Sequence, residues 1–424
     1  MTKEIPIRAV TVELLRAGPP HNQLLSPLTQ YPGICGDSQA GIVNLPYEHR
    51  AFLRLLEVDA LRQRRGCRPP ARAARHGGGN GEDTGRHPRL PGALTSDPDG
   101  PDILVHLRLV LSASELAALP FELAKIPVGP AAWAEGWLAL QTRPPVVITR
   151  RTRNVSPEGV RWPTKPRILF IASDPADVPF EEHRAEVLAA LQPFRYPGRT
   201  DPVVTNDGRR EQFGDLLTIL KDARFDDVVT ECASIRYTHV HVLAHGDVDP
   251  AAEDRSYGLV LHTADGEADV ISGERFGSAF ACVVDGAIHR PTVVMLASCD
   301  SGNVGSVIIP GASFAHVLHQ AGIPLVVASQ FPLGKQGSTL VARSLYQGLM
   351  WGENPWLLLH RIRTGLHGRL TTRFHDWASL VVYEALPADL NDQLEEVRYR
   401  QARLCHRRRA RMRRPGGERR GCQA

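Results

Sequence analysis

The strongest constraint on the fold lies within residues 237–302, where two short apolar runs each end on a reactive side chain. The first reads Tyr-Thr-His-Val-His-Val-Leu-Ala-His-Gly and closes on His245 and Gly246. The second reads Pro-Thr-Val-Val-Met-Leu-Ala-Ser-Cys-Asp-Ser-Gly and passes through Cys299. Both have the length and β-branched content of strands buried on two faces of a parallel sheet. Residues 167–173 and 324–331 are runs of the same kind, and helix-like segments separate the strands, which predicts βαβ units and strands pointing one way. In such sheets the carboxyl ends of the strands share the edge at which ligands bind. His245 and Cys299 then face one crevice, within reach of each other if their strands, about 4.8 Å apart, are neighbours.

That pairing has a definite chemistry. The thiolate, not the thiol, attacks a carbonyl, and a histidine within hydrogen-bond reach takes the proton and later returns one to the leaving amine. Gly246 leaves room for a substrate, and its amide, with that of Cys299, suits a tetrahedral oxyanion. Asp247, Asp249 and Asp300 flank the site, either as a pocket for a basic side chain (Asp247 and Asp300 foremost) or as solvent-facing loop acids. A rival reading makes His239, His241 and His245, which share one strand face by parity, metal ligands. The H-x-H-x-D-H spacing this needs is broken by Ala244, so no metal is expected.

The residues resemble a family. His-Gly after one strand and Leu-Ala-Ser-Cys-Asp-Ser-Gly after the next are similar to the CHAT domains, caspase-like cysteine peptidases of the caspase, separase and gingipain group. Leu119-Pro120-Phe121-Glu122-Leu123 resembles an element near the start of that domain, residues 311–332 its helix and strand after the cysteine, and residues 377–383 its closing strand. The resemblance implies a three-layer α/β caspase-like sandwich with a mostly parallel central sheet. It also implies a peptidase with Cys299 as nucleophile and His245 as base and acid, without metal or organic cofactor. The partners implied are a protein or peptide substrate and a regulatory sensor protein, in bacterial stress response, defence or regulated cell death. A caspase-like scaffold with an idle dyad is the alternative.

The chain has 424 residues, 42% of them hydrophobic and 23% charged, with a net charge of +4, values ordinary for a soluble globular protein. It shows neither a membrane span nor a secretory signal, so a cytoplasmic location is expected. Seven cysteines form no CxxC pair and no even set, as suits a reducing compartment. Cys232 and Cys282 read as small buried hydrophobes in helices.

Four regions follow: an N-terminal accessory lobe over 1–61, an Arg/Gly/Pro-rich linker over 62–101, the peptidase domain over 102–387, and a helix with a basic tail over 388–424. The linker lacks the apolar content to fold. Its abrupt start, with a similar break near the C-terminus, also matches an out-of-frame reading of GC-rich coding sequence. Nucleic acid is not expected as a partner except through the basic tail. Strands are expected over 5–16, 103–111, 145–151 and 257–262, with short ones within 24–31 and 42–45. Helices are expected over 47–61, 115–123, 181–191, 212–229, 274–284, 312–320, 338–350 and 355–367.

Overall fold

The computed structural model describes residues 5–16, 24–36, 40–48, 102–112, 114–125, 136–173, 178–194, 202–248, 257–284, 287–297, 314–330, 333–369 and 376–412. The expected helix over 47–61, the linker and the end of the tail lie outside them. The chain opens with β1 (Ile7–Leu14), β2 (Gln30–Cys35), β3 (Gly41–Asn44), β4 (Leu104–Leu111), β5 (Val146–Thr152) and β6 (Ile168–Ala172). Next come α1 (Phe180–Ala190), β7 (Val203–Val204), β8 (Arg210–Phe213), β9 (Leu217–Leu220), α2 (Phe225–Ser234) and β10 (His239–Leu243). A smaller sheet follows from β11 (Gly246–Val248), β12 (Tyr257–His262) and β13 (Ala268–Ser272), then α3 (Gly273–Ala279) and the hairpin of β14 (Cys282–Val284) and β15 (Ala287–His289). The chain then runs through β16 (Val293–Leu296), α4 (Phe314–Gln320), β17 (Leu325–Ser329), α5 (Lys335–Met350) and α6 (Pro355–Arg369). It closes with α7 (Asp376–Ser379), β18 (Leu380–Glu384) and α8 (Leu390–Met412).

The large sheet has the order β3-β2-β1-β4-β5-β18-β17-β16-β10-β6-β9-β8-β7. The five strands β17, β16, β10, β6 and β9 are mutually parallel. β18 runs against β17, and β5, β4 and β1 follow the direction of β18. Alternation along the strands sorts side chains into two cores. Ile168, Phe170, Val293, Met295, Leu325 and Val327 join the core under α1, α5, α6 and α8. Leu169, Ile171, Val240, Val242, Val294 and Val326 join the one under α2, α3 and α4. The result is the expected three-layer α/β sandwich; because both faces are covered, the central strands read in sequence as unbroken apolar runs.

The N-terminal strands are continuous with this sheet: β1 pairs with β4 over its whole length, from Ile7↔Leu104 to Leu14↔Leu111. Tyr31 and Arg16 secure it further by donating to Oε1 of buried Glu115, at 3.0 and 3.1 Å.

Several expectations need correction. The helix expected over 115–123 is two short 3-10 turns, Ser114–Ala118 and Phe121–Leu123, and the strand expected within 24–31 begins only at Gln30, in β2. Residues 212–229 are not one helix: β8 and β9 form a hairpin turning at Gly214 (φ +60), and α2 begins only at Phe225. The run Leu217-Thr218-Ile219-Leu220 is buried throughout, and a short apolar run of this kind does not distinguish strand from helix by period. The helix expected over 274–284 stops at Ala279, and Cys282 lies in β14 instead. Asp285-Gly286 between two β-rich runs was the turn signal there.

Candidate active site

The site is built on the β10–β16 pair. Its parallel register sets His239 beside Val293, Val240 beside Val294, His241 beside Met295 and Val242 beside Leu296. The ladder closes with the Ala297 amide, which donates to the Val242 carbonyl at 2.8 Å. The carboxyl ends of β10 and β16 are therefore neighbours on one rim of the sheet.

His245 stands two residues beyond β10, half-buried, at the point where the chain leaves the large sheet for the small one. Its carbonyl accepts from the Val260 amide at 2.9 Å. This bond makes Gly246↔Leu259 a non-hydrogen-bonded pair of the β11–β12 ladder, which directs the Gly246 amide away from β12. Gly246 is half-buried and Asp247 is exposed, paired with Gly258. A Cβ on Gly258 would sit 2.4 Å from the Ile271 carbonyl oxygen, so glycine is what lets β13 close on β12 there. Cys299, Asp300 and Asp249 lie outside the described residues, so the structure places the histidine, its glycine and one of the acids.

The other histidines of β10 are turned into the core. His239 Nδ1 meets Thr238 Oγ1 at 2.8 Å, and burial pushes its pKa down to about 3. His241 Nε2 meets His183 Nδ1 at 3.0 Å; burial, then the neighbouring His183, holds its pKa well below the usual value. Among the described residues no three His, Cys, Asp or Glu side chains are grouped to hold a metal ion.

Behind the rim lies a group of buried charges that a reading by motif passed over. Arg150, on β5, donates to Glu122, to two carbonyls of the 114–123 segment and to Gln330, the residue after β17. The Leu-Pro-Phe-Glu-Leu element is thus an anchor for this guanidinium. Asp376, at the start of α7, is also buried; its Oδ1 accepts from the Gly334 amide at 3.4 Å, and burial pushes its pKa up to about 6. Among the described residues no helix is long and apolar enough to cross a membrane.

Residues 86–385 match the family model described as the CHAT domain. No curated protein matches the sequence. Among solved structures, the chain is similar to separase in the Saccharomyces cerevisiae separase–securin complex, with a TM-score of 0.38 and 12% identity over 66% of this chain. It spans 15% or 16% of the separase chains. A structure described as a protease has a TM-score of 0.36 and 7% identity, covering 66% of this chain and 63% of that one.

Proposed function

This chain belongs to the CHAT domain family, and from that membership we propose that it is a cysteine endopeptidase acting through His245 and Cys299. The observation that carries the reading is the β10–β16 register. Every pair in that ladder keeps one separation in sequence, and positions 245 and 299 have that same separation. On this reading the register runs two residues past Ala297, which would bring the thiol beside the imidazole.

In the reaction proposed, His245 takes the Cys299 proton as the sulfur bonds to the scissile carbonyl carbon. The Gly246 amide, turned away from β12, and the Cys299 amide receive the oxyanion. Collapse breaks the C–N bond, and the imidazolium gives its proton to the departing amine. Water, deprotonated by His245, then splits the thioester and frees the acid and the thiol. Asp247, which is exposed, and Asp300 are proposed to meet a basic side chain of a protein substrate. The setting we propose is a bacterial stress or defence response, with a sensor protein as activator.

A thiol-directed peptide electrophile tests the dyad. Wild-type protein should be labelled at Cys299, Cys299→Ala should not, and His245→Ala should react slower by roughly 10²-fold or more. Equal labelling rates for His245→Ala and wild type would sink the reading and leave a caspase-like scaffold. New protein N-termini generated by wild type but not by Cys299→Ala would identify substrates.

A further inference from the structure

Three charged side chains, Arg150, Glu122 and Arg363, are fully buried behind the carboxyl end of β17. Arg150 Nη1 donates to the Ala117 carbonyl at 2.8 Å. Its Nη2 donates to the Leu119 carbonyl at 3.1 Å, Glu122 Oε2 at 2.8 Å and Gln330 Oε1 at 3.0 Å. Arg363, on α6, donates to the Trp377 carbonyl at 3.2 Å and the Leu380 carbonyl at 2.7 Å, and lies 3.8 Å from Glu122 Oε1. Two guanidinium groups thus share one carboxylate.

Stability alone is a poor reason for such a group. Desolvating three charges costs several kcal/mol each, and exchanging a buried ionic triad for apolar residues is often neutral or stabilising. What the group does fix is position. It joins β5, the turn at 117–122, α6, the start of β18 and the residue that follows β17. Gln330 is held twice, by Arg150 through its side chain and by the Ser379 carbonyl through its amide at 2.7 Å. Because β17, β16 and β10 run parallel, Gln330 stands on the rim that carries the end of β10.

We propose that Arg150 is a positioning residue for the candidate dyad: through Gln330 it fixes the rim beside the reacting groups, and Glu122 keeps its guanidinium aimed. The inference rests on the peptidase reading for its consequence in chemistry, but its structural half can be tested alone. Arg150 variants risk misfolding, so the change is made at the other end of the bond. Gln330→Glu keeps an acceptor for Arg150, whereas Gln330→Met matches the shape and removes it.

Two measurements are paired: labelling of Cys299 by the peptide electrophile, resolved into maximal rate and half-saturating concentration, and amide hydrogen exchange over 325–330 and 376–380. Gln330→Met should lose on the order of 10- to 100-fold in maximal rate with little change in half-saturation. It should also exchange faster in both segments, while the thermal midpoint stays near wild type. Gln330→Glu should restore both readouts. Wild-type exchange in Gln330→Met, or equal impairment of the two variants, would overturn the proposal. If wild-type protein reacts no faster than a free thiol, the peptidase reading falls, and the exchange arm still decides whether Arg150 holds the rim.

Discussion

His241 Nε2 lies 3.0 Å from His183 Nδ1, so the strand that leads to His245 is tied to α1 by a histidine pair inside the core. The network assigns the protons. Ser338 donates to the Lys335 carbonyl at 3.0 Å, so its oxygen accepts from His183 Nε2 at 3.2 Å. His183 Nδ1 is then the acceptor and His241 Nε2–H the donor. Replacing His183 by Phe leaves a buried N–H on His241 with no acceptor among the described residues in either tautomer, since Nδ1 also has none. The expected loss is about 1–3 kcal/mol in urea unfolding. His183→Phe combined with His241→Phe should recover part of it in a double-mutant cycle.

Acid should unfold this protein early. Burial lowers the pKa values of His106, His183, His316 and His319 to about 4, and His239 to about 3. The groups facing them are Glu384 and Arg108 at His106, Glu182 and Glu186 at His183, His319 and Arg150 at His316, and Glu384 and Arg151 at His319. A lowered pKa means the unfolded chain binds more protons between about 4 and the ordinary histidine value near 6.5. Stability is therefore full above that value and falls as pH drops through the window. The urea midpoint should decline steadily from pH 7 to pH 4, and the slope should ease when the buried His106 is replaced by Gln. A flat midpoint over that range would contradict the burial of these rings.

The central strands and the two-faced core were readable because burial on both sides writes an unbroken apolar run, as in Ile168–Ala172 and Leu325–Ser329. The place of His245 and Gly246 was readable for a related reason: a strand end is where such a run stops. The hairpin of β8 and β9 was not, because a four-residue apolar strand has no period of its own. The charges behind the rim were hidden more deeply. Arg150 and Gln330 are 180 residues apart in sequence, and nothing local to either says that the other neutralises its burial. A lone Arg in a strand reads as an edge or surface residue until its partners are known.

Gly258→Ala should damage the site at a distance from its chemistry. The added Cβ would meet the Ile271 carbonyl oxygen at 2.4 Å and its carbon at 2.8 Å, both backbone atoms that move only if the strands part. Overpacking of this sort costs about 1–3 kcal/mol. Because β12 also holds the His245 carbonyl through Val260, the strain passes to the rim. Thermal unfolding should show the loss, and hydrogen exchange should quicken at Val260 first. An unchanged midpoint would mean that β13 is not held against β12 in solution.

Asp376 has the opposite pH sign to the histidines. Its carboxyl is raised from the ordinary value to about 6 by burial, opposed only by the Gly334 amide, and among the described residues no cation contributes to the shift. Here the folded chain binds more protons than the unfolded one between about 4 and 6, so its contribution to stability is lost as pH rises through that window. At neutral pH the ionised group is a burden of up to roughly 3 kcal/mol. Gly337 explains how it is tolerated: a Cβ there would lie 2.1 Å from Oδ2, so the glycine makes room for the carboxylate at the start of α5. Asp376→Asn keeps an acceptor for Gly334 and removes the charge. It should raise the unfolding midpoint at pH 7 and leave it unchanged at pH 4. A variant less stable than wild type at pH 7 would show instead that the ionised carboxylate is stabilised by the amino end of α5 more strongly than burial opposes it.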